Sequence, residues 1–172
     1  MGATELLTHR QLSYPGRLLA SMTTARYLAA IDALLREPFP AEHLPTRFGD
    51  SGPGFHRARP GPAGPEAHGP PADPDGRDAD PDGQAERCRA EGEALAAALR
   101  ARWGPPEHLG LWSASVRDAA GRTPPAPWDE AVRRADDVLL WRVGRRWAGL
   151  AAARCGEGRL ELLVLVTEID PP

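Results

Sequence analysis

Arginine and tryptophan are concentrated in a short stretch in the last third of the chain, and both side chain types can bind ligands. The stretch holds Trp141, Arg142, Arg145, Arg146 and Trp147. Guanidinium groups pair with carboxylates and phosphates, and indole rings give large apolar contacts or stack on bases. We predict these five residues as a partner-binding surface, with an anionic protein favoured over a nucleic acid as the partner.

The same stretch has a simpler structural explanation. Gly144 followed by Arg145 predicts a two-residue hairpin turn with glycine in its first position. That turn would place Arg142 opposite Trp147, where the two side chains can form a local cation–π pair.

An acidic run resembles the start of a calcium loop but lacks its end. Asp78, Asp80 and Asp82 precede Gly83, as the first positions of such a loop require. The twelfth position would be Arg89, where a bidentate glutamate is needed. The tetrapeptide Asp-Pro-Asp-Gly also occurs at residues 73–76, so a duplicated turn explains the run. We expect no metal site and no cofactor.

Residue types for nucleophilic catalysis are present, but their spacing predicts no active site. Cys88 and Cys155 are far apart in sequence, and the five histidines are scattered. Residues 144–149 have the glycine spacing of a phosphate loop, yet Leu150 and Ala151 replace the lysine and the hydroxyl residue that it needs. No catalytic residue is predicted, and the chain is expected to be non-enzymatic.

The composition of the chain weakens the functional argument from its many arginines. All 21 basic residues are arginine, and the chain has no lysine and no asparagine. Arginine, alanine, glycine and proline share GC-rich codons, so this bias is typical of a high-GC bacterium and is weak evidence for nucleic-acid binding. No apolar run is long enough for a membrane helix or a signal peptide. We expect a cytoplasmic protein with reduced cysteines.

Glycine and proline divide the chain into segments. Of the 37 glycines and prolines, 16 fall in residues 49–83, which also carry a net charge of −4. Such a segment buries too little apolar surface to offset its chain entropy, so we predict a disordered insert. The expected organisation is a disordered extension at 1–21, a helix with a docked segment at 22–48, the insert at 49–83, and the rest of a single core at 84–172.

Apolar periodicity predicts the elements of that core. A helix is expected from about residue 23 to 37, a second at 84–103 and a short one at 128–135. Residues 138–143, 147–153 and 159–169 read as three consecutive strands, and strand is favoured over helix at 108–116. The run at 162–166 is apolar on both faces, which indicates a central strand. The predicted fold is α+β: a C-terminal three-stranded antiparallel meander packed against two main helices on one face.

The sequence therefore predicts a class of function rather than a reaction. A non-catalytic protein-interaction module is expected, such as an adaptor, a chaperone-like protein or a neutralising partner. A homodimer through the sheet is the alternative association. Two other functions remain open: a small hydrolase or ligand-binding enzyme with an unrecognised pocket, and nucleic-acid binding through the Arg/Trp hairpin.

Overall fold

The described part of the chain contains both helices and strands. The structure is a computed structural model that describes residues 15–46, 49–59, 81–156 and 159–172. Over these residues the elements, in chain order, are α1 (Pro15–Arg36), β1 (Leu44–Thr46), β2 (Gly49–Gly52), β3 (Phe55–Ala58), α2 (Pro81–Trp103), β4 (Glu107–Gly110), α3 (Trp112–Ala119), α4 (Trp128–Arg134), β5 (Asp137–Val143), β6 (Arg146–Cys155) and β7 (Arg159–Thr167).

The strands in the described ranges all belong to one antiparallel sheet. Its order is β1-β2-β3-β7-β6-β5-β4, so the C-terminal strand β7 lies in the centre between β3 and β6. The side chains of residues 162–167 are all buried. The prediction of a central last strand is confirmed, because an uninterrupted apolar run is stable only where both faces of the sheet are covered.

The α+β class is confirmed, but the sheet is larger than predicted. Strands β5, β6 and β7 do follow one another, yet they are three members of a sheet that has seven strands over the described residues. The additional strands come from segments whose turn-rich or mixed composition concealed them. The fold is therefore richer in sheet than a meander on two helices.

Helices cover both faces of the sheet, which corrects the expectation of one helical face. Helices α1 and α2 pack on a cluster that includes Leu95, Leu99 and Val164. Helices α3 and α4 pack on a second cluster, on the opposite face, that includes Trp128 and Leu165. Adjacent residues of β7 contribute to opposite clusters, so each face of this strand needs its own helical layer.

The predicted insert does not begin at Gly49. Strands β2 and β3, with the turn between them, span residues 49–58, and β3 pairs with β7 so that Phe55 is only 1 % exposed. Helix α2 includes its last three residues, 81–83. Helix α1 likewise begins at Pro15, inside the extension predicted at 1–21. Residues 1–14 and 60–80, on which the remaining disorder predictions fall, lie outside the described residues.

The other local predictions fared unequally. Helix α2 matches the predicted stripe at 84–103, and α4 matches the helix at 128–135. Residues 108–116 instead divide between β4 and α3. The prediction of a strand over the whole segment is wrong because burial there does not follow hydrophobicity: Leu111 and Ala114 are buried, whereas Trp112 and Val116 face solvent.

None of the helices in the described ranges combines the length and apolar character that a bilayer crossing needs.

Candidate functional site

The predicted Arg/Trp hairpin is formed by β5 and β6. Its two-residue turn contains Gly144, whose φ of 62° favours glycine. Arg142 lies opposite Trp147, with its guanidinium carbon 4.7 Å from a ring centroid of the indole. The Trp147 Nε1–H donates to Asp170 Oδ1 at 3.2 Å. The predicted local cation–π pair is confirmed.

The hairpin does not bring its five residues onto one surface. Trp141 is 3 % exposed, and its Nε1–H donates to the carbonyl of Gly104 at 3.0 Å on the face that packs on α2. Trp147 lies on the opposite face, and the exposed Arg145 lies in the turn. The assignment of these residues to partner binding stays a prediction, and Trp141 has a packing role in the core.

Arg146 caps the C-terminal end of α1. Its Nη1 donates to the carbonyl oxygens of Leu34, Leu35 and Glu37 at 3.1, 2.9 and 2.8 Å. Its guanidinium also lies 4.1 Å from the ring centroid of Phe39. The last carbonyls of a helix have no partner within the helix, and a cation there complements the helix dipole. Arg146 therefore stabilises the docking of α1 on the sheet.

We expect Arg146→Ala to lower the free energy of unfolding by about 2 kcal/mol, since hydrogen bonds to charged groups contribute about 1.5–3 kcal/mol. Urea denaturation followed by circular dichroism measures the change. Arg145→Ala, one residue away and exposed, is the matched control and should be close to neutral. Equal stability of the two variants would contradict the capping role.

A cluster of ion pairs joins α4 to the sheet, and sequence reasoning missed it. We call it the ion cluster; its members are Arg57, Arg59, Glu130, Arg134 and Glu161. The Glu130 carboxylate is central: Oε2 lies 2.7 Å from Arg57 Nη1, Oε1 lies 2.7 Å from Arg59 Nη2, and Arg134 pairs with it within the same helix. Arg134 also pairs with Glu161 on β7. Only the spacing of four between Glu130 and Arg134 was visible in the sequence.

Electrostatics favour the charged forms of Glu130 and Arg57 in the ion cluster. Burial by itself raises the pKa of Glu130, but a hydrogen bond from Arg59 and the charges of Arg57 and Arg59 outweigh burial, so the pKa lies below its ordinary value. Burial likewise opposes the charge on Arg57, yet hydrogen bonding to Asp50 and the charge of Glu130 raise its pKa. A carboxylate whose lone pairs are bound by guanidinium groups is a poor general base. The geometry is that of a structural clamp.

Ser51 and His56 form a second polar contact that the sequence did not reveal. Ser51 Oγ lies 2.8 Å from His56 Nδ1, and His56 Nε2 lies 3.3 Å from the carbonyl oxygen of Glu37. That carbonyl can only accept, so in the neutral imidazole Nε2 carries the proton and Nδ1 accepts from the serine hydroxyl. A nucleophile must reach its substrate, whereas Ser51 is 4 % and His56 2 % exposed. This pair fastens β2 and β3 to the end of α1.

A groove of about 650 Å³ lies between α2 and the sheet. Its lining is mainly apolar and includes Gly92, Leu139 and Leu162. Two arginines and two acids also line it: Arg89, Glu93, Arg100 and Asp137. Cys88 is buried in its wall, and burial raises the pKa of this thiol, which keeps it protonated. Opposite charges balance along the groove, and no group of three metal-ligating side chains occurs anywhere in the described part of the chain.

Among the residues that the structure describes, the most exposed large apolar side chains belong to α3. Trp112 is 78 % exposed and Val116 is 52 % exposed, one helical turn apart. The exposed Ala119 and Ala120 extend the same stripe. We call these four residues the α3 patch. The opposite side of α3 is held in the core by Ala114, so the patch is presented on a fixed element.

The comparisons with known proteins return nothing: no family model, no curated protein and no solved structure matches this chain.

Proposed function

We propose that this chain is a non-catalytic protein-interaction module that holds another protein on the α3 patch. One observation carries the proposal: Trp112 leaves 78 % of its surface in water at the start of a helix whose other side is packed. Tryptophan is the residue type most enriched among the few that dominate binding energy at interfaces. Neighbouring exposed apolar residues mark such sites more reliably than single ones.

The charged and polar side chains described above support this proposal, because they bind other groups of the same protein. The ion cluster pairs each of its arginines with a carboxylate, and the Ser51–His56 contact is sealed from solvent. Arg142 and Arg146 of the hairpin contact Trp147 and α1, respectively. These groups contribute to stability, whereas the α3 patch is an apolar surface that the described part of the chain leaves in water.

The proposal is tested by affinity purification from a lysate of the source organism, with the wild-type protein and single-residue variants of it as baits. Trp112→Ala should lose a protein that the wild type retains, by about 30-fold, because interface hot spots contribute 2 kcal/mol or more. Leu44→Ala is the matched control, since Leu44 is another exposed large apolar residue, at 50 %, on β1. Both variants should keep the wild-type melting temperature.

Quantitative mass spectrometry of the retained proteins gives the readout. If no retained protein depends on Trp112, or if Leu44→Ala loses the same protein to the same extent, the α3 patch is not the binding surface.

A further inference from the structure

A carboxylate of the chain itself lies on the surface of the Arg/Trp hairpin. One oxygen of Asp170, Oδ1, accepts a hydrogen bond from the Trp147 Nε1–H at 3.2 Å and lies 3.7 Å from Nη1 of Arg142. The two donor groups come from the neighbouring strands β6 and β5 and converge on that single oxygen. An N–H donor and a guanidinium directed at one carboxylate oxygen form a site for this kind of anion.

The two donors are held in place by contacts that do not involve Asp170. The guanidinium carbon of Arg142 lies 4.7 Å from a ring centroid of Trp147, and Nε of Arg142 donates to the carbonyl of Gly144 at 3.2 Å. The indole of Trp147 also packs on the core cluster beneath α3 and α4. Loss of Asp170 should therefore leave the site formed, and a preorganised site binds a new ligand without first paying for its own ordering.

Asp170 is loosely held in this site. Its side chain is 86 % exposed, and that of Arg142 is 46 % exposed. An ion pair this exposed is screened by water and contributes little to stability. The backbone just before it is anchored separately, because the Trp128 Nε1–H donates to the carbonyl of Ile169 at 3.0 Å. The carboxylate can therefore leave the site while Ile169 stays in place.

The charges around the hairpin limit the ligand to a single carboxylate. Arg145 in the turn is exposed and forms no ion pair with any residue in the described ranges. Glu107 on β4 is exposed as well, and it lies opposite Leu140, two residues before Arg142, where it offsets this additional cation. Replacing one carboxylate by another leaves the charge of the surface unchanged. The site therefore fits a lone Asp or Glu side chain rather than a long acidic run.

We propose that Arg142 and Trp147 form a carboxylate-binding site, which Asp170 fills within the chain and which an Asp or Glu side chain of a partner protein fills by displacing Asp170. Tethering keeps Asp170 beside the site at a high effective concentration, so it is a built-in competitor of any incoming carboxylate. The site shares no residue with the α3 patch, so the two proposals are tested separately.

Nuclear magnetic resonance of the indole N–H groups tests the contact within the chain. The chain has five tryptophans, and the signal of Trp147 is identified by its loss in Trp147→Phe. Asp170→Ala should shift that signal, because a hydrogen bond to a charged oxygen is removed. The Trp141 signal should stay in place, since its Nε1–H donates to the carbonyl of Gly104. Glu168→Ala, at another exposed acid two residues away, is the matched control and should shift neither signal.

A peptide blocked at both ends, Ala-Ile-Asp-Pro-Pro, tests the exchange. Added to the Asp170→Ala protein, it should return the Trp147 signal toward its wild-type position in a saturable way, whereas the same peptide with asparagine for aspartate should not. The wild type should bind the peptide about two- to fivefold more weakly than Asp170→Ala, because an exposed ion pair competes by no more than that. Arg142→Gln in the Asp170→Ala background should lose the response.

The opposite results would overturn the proposal. A Trp147 signal that Asp170→Ala leaves unmoved would mean that Asp170 does not fill the site, and equal binding of the asparagine peptide would mean that the site does not recognise a carboxylate. Equal affinity of the wild type and Asp170→Ala would show that Asp170 does not compete. Sodium acetate that binds as tightly as the peptide would assign the site to small carboxylic acids instead of a partner protein. Each of these results leaves the proposed function standing, since that function depends on Trp112.

Discussion

Val164→Asp should abolish cooperative folding of this protein. Val164 is 3 % exposed in the central strand, where Ala58 and Leu150 lie directly opposite it on the two neighbouring strands. A carboxylate buried there without a partner costs several kcal/mol, roughly. That cost is comparable to the total stability of a small domain, about 5–15 kcal/mol.

Ala152→Asp provides the control on the same face of the sheet. Ala152 pairs with Leu162 on β7 but is exposed, so a carboxylate at this position stays hydrated. Urea titration by tryptophan fluorescence should show a cooperative transition for Ala152→Asp and none for Val164→Asp. A soluble Val164→Asp protein with a transition near that of the wild type would mean that this side of β7 is not sealed.

Glu130→Gln should lower the free energy of unfolding by about 3 kcal/mol, because removing the charge of a buried carboxylate takes one partner away from each of the arginines that it pairs with. The Glu130 side chain is 9 % exposed and pairs with Arg57 and Arg59. Asp136→Asn is the matched control: its pair with Arg154 has side chains 76 % and 59 % exposed. Pairs of that kind contribute about 0–1 kcal/mol. Equal effects of the two substitutions would contradict a stabilising ion cluster.

The stability difference between the wild type and Glu130→Gln should depend on pH. The pKa of folded Glu130 lies below its ordinary value of 4.5, so its ion pairs add stability above that pH. As the pH falls below 4.5 and through the folded pKa, protonation removes this contribution. Wild type and Glu130→Gln should therefore differ most near neutrality and converge in acid. A difference that stayed constant down to acidic pH would show that charge is not the cause.

The proposed partner contact separates cleanly from these stability effects. Trp112 is 78 % exposed, so its substitution changes little buried surface. Val164 and Glu130 act through packing and buried charge. A loss of binding by Trp112→Ala at unchanged stability therefore reports the interface itself.

The local sequence pattern was enough to predict the elements that depend on residues close together in the chain. The stripe of α2, the glycine turn between β5 and β6 and the apolar run of β7 were all readable, since each depends on residues within a few positions of one another. The position of β7 at the centre of the sheet followed from the same run, because only a strand covered on both faces can be apolar throughout.

Strands β2 and β3 could not be predicted from the sequence, because their polar side chains find hydrogen-bond partners only across the hairpin. Asp50 pairs with Arg57 through two hydrogen bonds, and Ser51 with His56 through one. In sequence these residues stand among glycines and prolines and indicate a solvated loop. Pairing with β7 supplies the apolar contacts that make the hairpin stable.

By itself, then, the sequence determined the α+β class, helix α2 and the central strand. Tertiary structure decided the ion cluster, whose members Arg57, Glu130 and Glu161 come from distant parts of the chain. It also decided which side of α3 faces water. Hydrophobicity predicts that Trp112 and Val116 are buried, and it is the packing of Leu111 and Ala114 beneath them that leaves both exposed, because a short helix on a sheet can bury only one of its sides.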